Sequence, residues 1–189
     1  MKISGPLLII DFQDKLTSAI HDFKETLRNA EFLIRAFKIL NRQIFYTEQN
    51  PGGLGFTIPE LRNILEGSAL RFEKFCFSSV CDAASTENSA LLSNLLNNYK
   101  QIVVCGIETH ICVFQTVYDL LKAGYEVFLA ADACGSIRKK DHEVAIETMR
   151  GLGAVVLPSI SIVYAALGSA EHLKFKEVLK LVKDYLYNR

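Results

Sequence analysis

Three residue types far apart in the chain could cooperate in covalent catalysis: the thiol of Cys112, the carboxylate of Asp11 and the amine of Lys74. A thiol supplies a nucleophile, a carboxylate can take and return its proton, and an ammonium can hold the resulting negative charges together. Cys112 lies in Gly-Ile-Glu-Thr-His-Ile-Cys-Val, residues 106–113, directly after the apolar run 102–105. Such a run fits a strand buried on both faces of a parallel sheet, and Gly106 breaks it. Thr109 is expected to cap a helix whose apolar positions Val113, Val117, Leu120 and Leu121 recur at helical spacing, with Gly124 as its stop. Cys112 then falls in the first turn. There, unpaired N–H groups and the positive end of the helix dipole favour a thiolate and could hold an oxyanion. The competing reading is a small core residue. Cys105 inside a strand, Cys134 in a loop after another, and Cys76 and Cys81 near a phenylalanine-rich segment have no clear helix start beneath them.

Lys74 stands in Arg-Phe-Glu-Lys-Phe-Cys-Phe, residues 71–77, where strand alternation puts Phe72 and Lys74 on one side and Glu73 and Phe75 on the other. It is either a cation embedded among aromatics or a surface lysine whose stem snorkels along apolar neighbours. Asp11 ends the first apolar run, 6–10.

The elements that must bring these residues together alternate in type. After the strand 6–10, the positions Phe23, Leu27, Ala30, Leu33, Ile34, Phe37 and Leu40 form a helical stripe, and 44–47 is a second strand. A crossover of that length implies parallel pairing. Residues 48–59 read as an irregular loop leaving a strand's carboxyl end, so Gln49, Leu54 and Phe56 line a pocket, pack internally, or meet another subunit. A short helix over 61–65, a helix over 85–98 and a strand over 126–131 follow, then a helix over 141–152 with Asp141 as its cap and a strand over 154–157. Helices over 159–167 and 173–187 close the chain, the second packing on the domain or on a partner subunit. The expected architecture is a three-layer α/β/α, Rossmann-like fold with a mainly parallel sheet of about six strands. Sites in such sheets lie outside the carboxyl ends of the strands, at the switch point in strand order. Asp11, the loop after Thr47 and the turn before Cys112 all leave strands at that edge.

The chain has 189 residues, is half apolar and carries no net charge, which suits a single domain over 1–189. No basic run is long enough to track a phosphate backbone, so nucleic acid is not an expected partner. Five cysteines without a CxxC pair point to a reducing compartment rather than a disulfide framework. The first apolar run is too short for a signal segment or a membrane span, and a cytoplasmic location is expected. No GxGxxG or GxxxxGK[ST] follows the first strand, which removes the usual support for nucleotide binding.

With these pieces assembled, the chain resembles the isochorismatase-like cysteine hydrolases, and within them the isochorismatase domain-containing proteins. The residues that carry the resemblance are Leu-Ile-Ile-Asp-Phe-Gln at 8–13, Thr-Glu-Gln-Asn-Pro-Gly-Gly-Leu-Gly at 47–55, Lys-Phe-Cys-Phe-Ser at 74–78, Gly-Ile-Glu-Thr-His-Ile-Cys-Val at 106–113 and Asp-Ala-Cys-Gly-Ser at 132–136. The resemblance implies a catalytic triad of Asp11, Lys74 and Cys112. It also implies a non-proline cis peptide between Ile107 and Glu108, which sets the Glu108 N–H beside that of Cys112 as an oxyanion hole. Phe12, Gln49, Leu54, Phe77, Ile107 and His110 are the candidates to contact a small-molecule substrate. Nicotinamidases carry an Asp/His metal cluster after the second strand, whereas this chain has Glu48-Gln49-Asn50-Pro51 there, so no metal and no other cofactor is expected. Isochorismatases proper lack the cysteine, so Cys112 favours hydrolysis of an amide-type C–N bond over vinyl-ether hydrolysis. A non-catalytic or redox-responsive thiol protein on the same scaffold is the other reading. Relatives form dimers and larger rings, which makes a homo-oligomer the expectation here.

Overall fold

The computed structural model describes residues 1–80, 92 and 95–187. Its strands are β1 Leu7–Ile10, β2 Ile44–Gln49, β3 Leu70–Lys74, β4 Gln101–Ile107, β5 Glu126–Gly135 and β6 Val155–Leu157. They hydrogen-bond in the order β3-β2-β1-β4-β5-β6, and each of these pairings is parallel. The helices are α1 Asp14–Thr17, α2 Phe23–Ile39, α3 Pro51–Leu54, α4 Pro59–Leu65, α5 Phe114–Lys122, α6 Lys139–Gly151, α7 Ser159–Leu167 and α8 Phe175–Tyr187. A π-helical turn, Thr109–Val113, joins β4 to α5. The helix expected over 85–98 lies largely outside the described residues.

β1 and the apolar part of β4 are buried along their length, which is why they read as continuous apolar runs rather than alternating ones. α2 lays Ala30, Leu33, Ile34 and Phe37 into this core, as its three- and four-residue spacing requires. α8 packs on the domain itself: Tyr185 stacks on Phe32 of α2 at 4.2 Å, and Val178 and Val182 are buried.

β1 is flanked by β2 on one side and β4 on the other, so the chain fills the sheet outward in two directions from this pair. A crevice must therefore open between the loops that leave β1 and β4. Gly106 permits the close approach. Its register partner is Ile10, its φ is +149°, and a Cβ there would sit 2.5 Å from the Ile10 carbonyl oxygen.

Several local expectations are corrected. Glu48 and Gln49 continue β2 instead of opening a loop, and Pro51–Leu54 forms a helical turn beyond them. β5 does not stop at 131. Its pairing with β4 passes from Val104↔Leu129 to Gly106↔Cys134, so a bulge carries the chain through Asp132, and Cys134 lies in a strand instead of a loop. Glu108, not Thr109, occupies the cap position before the π-helical turn, and Arg138, not Asp141, precedes α6. Finally, Cys76 is disulfide-bonded, contrary to the expectation of wholly reduced cysteines.

Candidate active site

Asp11 follows β1 with φ +52°, a left-handed conformation that an aspartate tolerates better than most residues. Its side chain is fully buried and accepts the Thr47 hydroxyl at Oδ1, 2.8 Å, from the neighbouring strand. Its other oxygen, Oδ2, accepts from the Lys74 ammonium at 2.6 Å. The inward face of β3 carries Lys74 to this point, so the alternation read in 71–77 holds while the snorkelling alternative fails: Lys74 is 1 % exposed. Its ammonium also donates to Gln49 Oε1 at 2.9 Å and to the Phe77 carbonyl at 2.9 Å, with the Cys76 carbonyl at 3.3 Å. A buried ammonium is tolerable only when its protons are matched in this way.

Cys112 completes the cluster from across the switch point. Its thiol is 6 % exposed and meets both the Asp11 carboxylate and the Lys74 amine in hydrogen-bonding contact. Burial, and then the charge of Asp11, push the thiol up to about 12, with Lys74 opposing. The expectation of a thiolate at a helix start is therefore overturned at rest. A group held this high carries its proton until a base removes it. The turn that presents Cys112 is held from several sides. The N–H groups of Ile111 and Val113 both donate to the Glu108 carbonyl, at 3.1 and 3.2 Å, and Thr116 Oγ1 donates to the Cys112 carbonyl at 2.7 Å. The Ile107–Glu108 peptide is cis.

The remaining candidates fall into distinct places. Gln49 is buried, with Oε1 on Lys74 and Nε2 donating to the Phe75 carbonyl at 2.7 Å, so it braces the lysine. Phe12 and Ile107 are core side chains, Leu54 is half-buried and Phe77 is exposed. His110 is partly exposed, with Nδ1 3.0 Å from Ser136 Oγ, and the Glu108 carboxylate accepts the Ile137 N–H at 3.0 Å.

Two supporting residues escaped the sequence reading. Gln13 is fully buried, donates to the carbonyls of Gln49 and Gly55 at 3.0 and 2.6 Å, and accepts the Gln49 N–H at 2.7 Å. Glu48 accepts the Thr57 N–H and hydroxyl, both at 2.7 Å, and pairs with Arg71 at 2.6 Å. Together they pin 55–57 to β2 and fix Gln49 beneath Lys74. The apparent loop assignment of 48–59 hid them, although a glutamine directly after Asp11-Phe12 and an acid–Arg pair on adjacent strands were visible signals.

A separate cavity of about 280 Å³ opens over the end of β5, lined by His21, Thr26, Asp132, Cys134, Ser136 and His142 among others, and it does not include the Asp11–Lys74–Cys112 cluster. Among the described residues no group of three His, Cys, Asp or Glu side chains is placed to hold a metal ion. No helix among them is long and apolar enough to cross a membrane.

An all-parallel α/β sheet with a polar cluster at the β1/β4 switch point is the architecture of isochorismatase-like hydrolases. The isochorismatase domain model matches residues 6–161, and the chain belongs to this family. It is 35% identical to isochorismatase domain-containing protein 2 of Xenopus laevis over 181 residues, 96% of this chain and 84% of that one. Among solved structures, one described as the MAR1 ribonuclease of Caenorhabditis elegans superposes with a TM-score of 0.89 at 33% identity, covering 97% of this chain and 93% of that one. The YcaC gene product of Escherichia coli, described as an octameric hydrolase of unknown specificity, shares the fold with a TM-score of 0.82 at 19% identity, covering 96% and 89%.

Proposed function

We propose that this protein is a cysteine-dependent hydrolase that cleaves a C–N bond, amide or carbamoyl, in a small molecule through a thioester. The observation that carries this reading is the buried contact of Cys112 with both Asp11 and Lys74, which themselves pair at 2.6 Å. Because the resting thiol is protonated, attack requires a base, and Asp11 is in contact with it. As sulfur bonds to the substrate carbonyl, the thiol proton passes to Asp11, and the Lys74 ammonium limits the build-up of negative charge. The N–H groups of Glu108 and Cys112 receive the oxyanion. Collapse breaks the C–N bond, the leaving nitrogen takes the proton from Asp11, and a thioester remains. Water, deprotonated by the same carboxylate, then attacks the thioester and releases the acid, and the proton returns to sulfur.

Two alternatives are weaker on specific grounds. Oxidation of a sensor cysteine follows thiolate character and exposure, and Cys112 is buried and held near 12. The ribonuclease description of the C. elegans structure raises RNA as a substrate, but a cluster as enclosed as Asp11, Lys74 and Cys112 suits a small carbonyl better than a polymer backbone. A homo-oligomer is part of this reading, following the family resemblance, and sedimentation velocity on the purified chain decides it.

The test is a panel of small amides, carbamoyl compounds and ureides, with a single-stranded RNA as a further arm, presented to wild type and Cys112→Ala. C–N hydrolysis that falls at least about 1,000-fold in the variant is expected. Equal hydrolysis by the variant, or RNA cleavage with no C–N hydrolysis, contradicts the proposal.

A further inference from the structure

Beyond the triad, three successive residues of the nucleophile turn are tied by their side chains to the segment 136–142. The Glu108 carboxylate accepts the Ile137 N–H at 3.0 Å, Thr109 Oγ1 lies 3.0 Å from His142 Nδ1, and His110 Nδ1 lies 3.0 Å from Ser136 Oγ. Thr109 is the deepest of the three, with no exposure, so its hydroxyl depends on an internal partner, and the His142 ring supplies one. We infer that His142 is a positioning residue, which through Thr109 fixes the Glu108–Cys112 backbone in the attitude needed to receive an oxyanion.

The geometry favours this pair over the other two tethers. His110 is partly exposed, so water can replace Ser136. The Glu108 bond holds the entry to the turn, before the residues that lead to Cys112. Thr109, by contrast, sits between the two proposed oxyanion donors, and a rotation of its backbone moves one relative to the other. Burial lowers His142, which keeps its ring neutral near pH 7. With the proton on Nε2, Nδ1 accepts the Thr109 hydroxyl. His142, carried on α6, is also among the residues that line the cavity over β5.

This inference rests on the proposed hydrolase reading and predicts a split that general damage to the fold does not produce. Acylation of Cys112 by p-nitrophenyl acetate passes through an oxyanion: the S–C bond forms, the thiol proton goes to Asp11, and p-nitrophenolate leaves. Alkylation by iodoacetamide uses the same sulfur with no oxyanion. Thr109→Val and His142→Leu should each slow acylation about ten-fold while leaving alkylation within about two-fold, since only the former needs the aligned amides. The double variant should lose little more than either single one, because the two substitutions remove one interaction. His142→Asn, which returns a polar atom near the Nδ1 position, should recover most of the rate. Acylation at the wild-type rate in both variants overturns the inference, as does a parallel fall in acylation and alkylation. Failure of wild-type Cys112 to acylate at all contradicts the hydrolase reading itself, which separates the two outcomes.

Discussion

Two cysteines at the same edge of the sheet have very different neighbourhoods. Cys112, on the turn after β4, and Cys134, near the end of β5, are both buried, and burial is the first cause that pushes each thiol up to about 12. Cys134 borders a cavity of about 280 Å³, while Cys112 lies outside it. Space and titration therefore do not single out Cys112. What separates the two is the neighbour able to take a proton: Cys112 touches the Asp11 carboxylate and the Lys74 ammonium. Cys134 has the Gly106 backbone as its hydrogen-bond partner and feels the charge of Asp132. A high pKa is an obstacle to a lone thiol, but it is compatible with a nucleophile whose base is already in contact.

The sharpest break of this comparison is paired substitution. Cys112→Ala should lower turnover by at least about 1,000-fold, whereas Cys134→Ala should leave turnover within about two-fold and cost about 1 kcal/mol of stability for a small buried group. Assays of both variants alongside chemical denaturation check this. Next in size is the ion pair itself. Lys74→Met leaves the Asp11 carboxylate buried without its cation and should destabilise the fold by about 3–5 kcal/mol, read from the shift in urea midpoint. A loss under 1 kcal/mol would mean the pair is better hydrated than its burial indicates.

A step smaller, Glu48→Gln weakens the bond to Arg71, which is partly exposed, and should cost about 1–2 kcal/mol. Because Glu48 holds Thr57, the same variant should also admit faster hydrogen exchange at Thr57. The smallest effect is expected at Asp132. Burial raises this carboxyl, against the hydrogen bonds it accepts from Ser159. The folded chain then binds this proton more tightly than the unfolded chain, so Asp132 removes stability as pH rises through the window above the ordinary carboxylate value. Asp132→Asn should flatten that part of the stability–pH profile. A profile unchanged from wild type would show that the Ser159 bonds dominate.

Much of this arrangement was legible before the structure, for physical reasons. Strands buried on both faces leave continuous apolar runs, which located β1 and β4, and helical spacing located α2 and α5. The alternation in 71–77 placed Phe72 and Lys74 together, and fold topology then brought Asp11, Lys74 and Cys112 to one edge. Local pattern could not decide whether Lys74 was buried, since that depends on acceptors at 11, 49, 76 and 77 from three segments of chain. Nor could it see Glu48 as part of a strand, because its buried carboxylate is made tolerable by Arg71 and Thr57 at a distance. The bulge in β5 misled for a related reason: the polar Asp132 looks like a strand end, but inside the strand it accepts the Ser159 hydroxyl and N–H at 2.6 and 2.8 Å. The thiolate expectation failed because the helix-start argument omitted both desolvation and the carboxylate beside the sulfur.

The most direct test of the central claim is peptide mapping by mass spectrometry after brief exposure of the native protein to p-nitrophenyl acetate. A single acetyl thioester is expected on Cys112 in wild type, none on Cys134, and none at either position once Asp11 is replaced by Asn. Acetylation of Cys134 in preference to Cys112, or of Cys112 at an undiminished rate in Asp11→Asn, would contradict it.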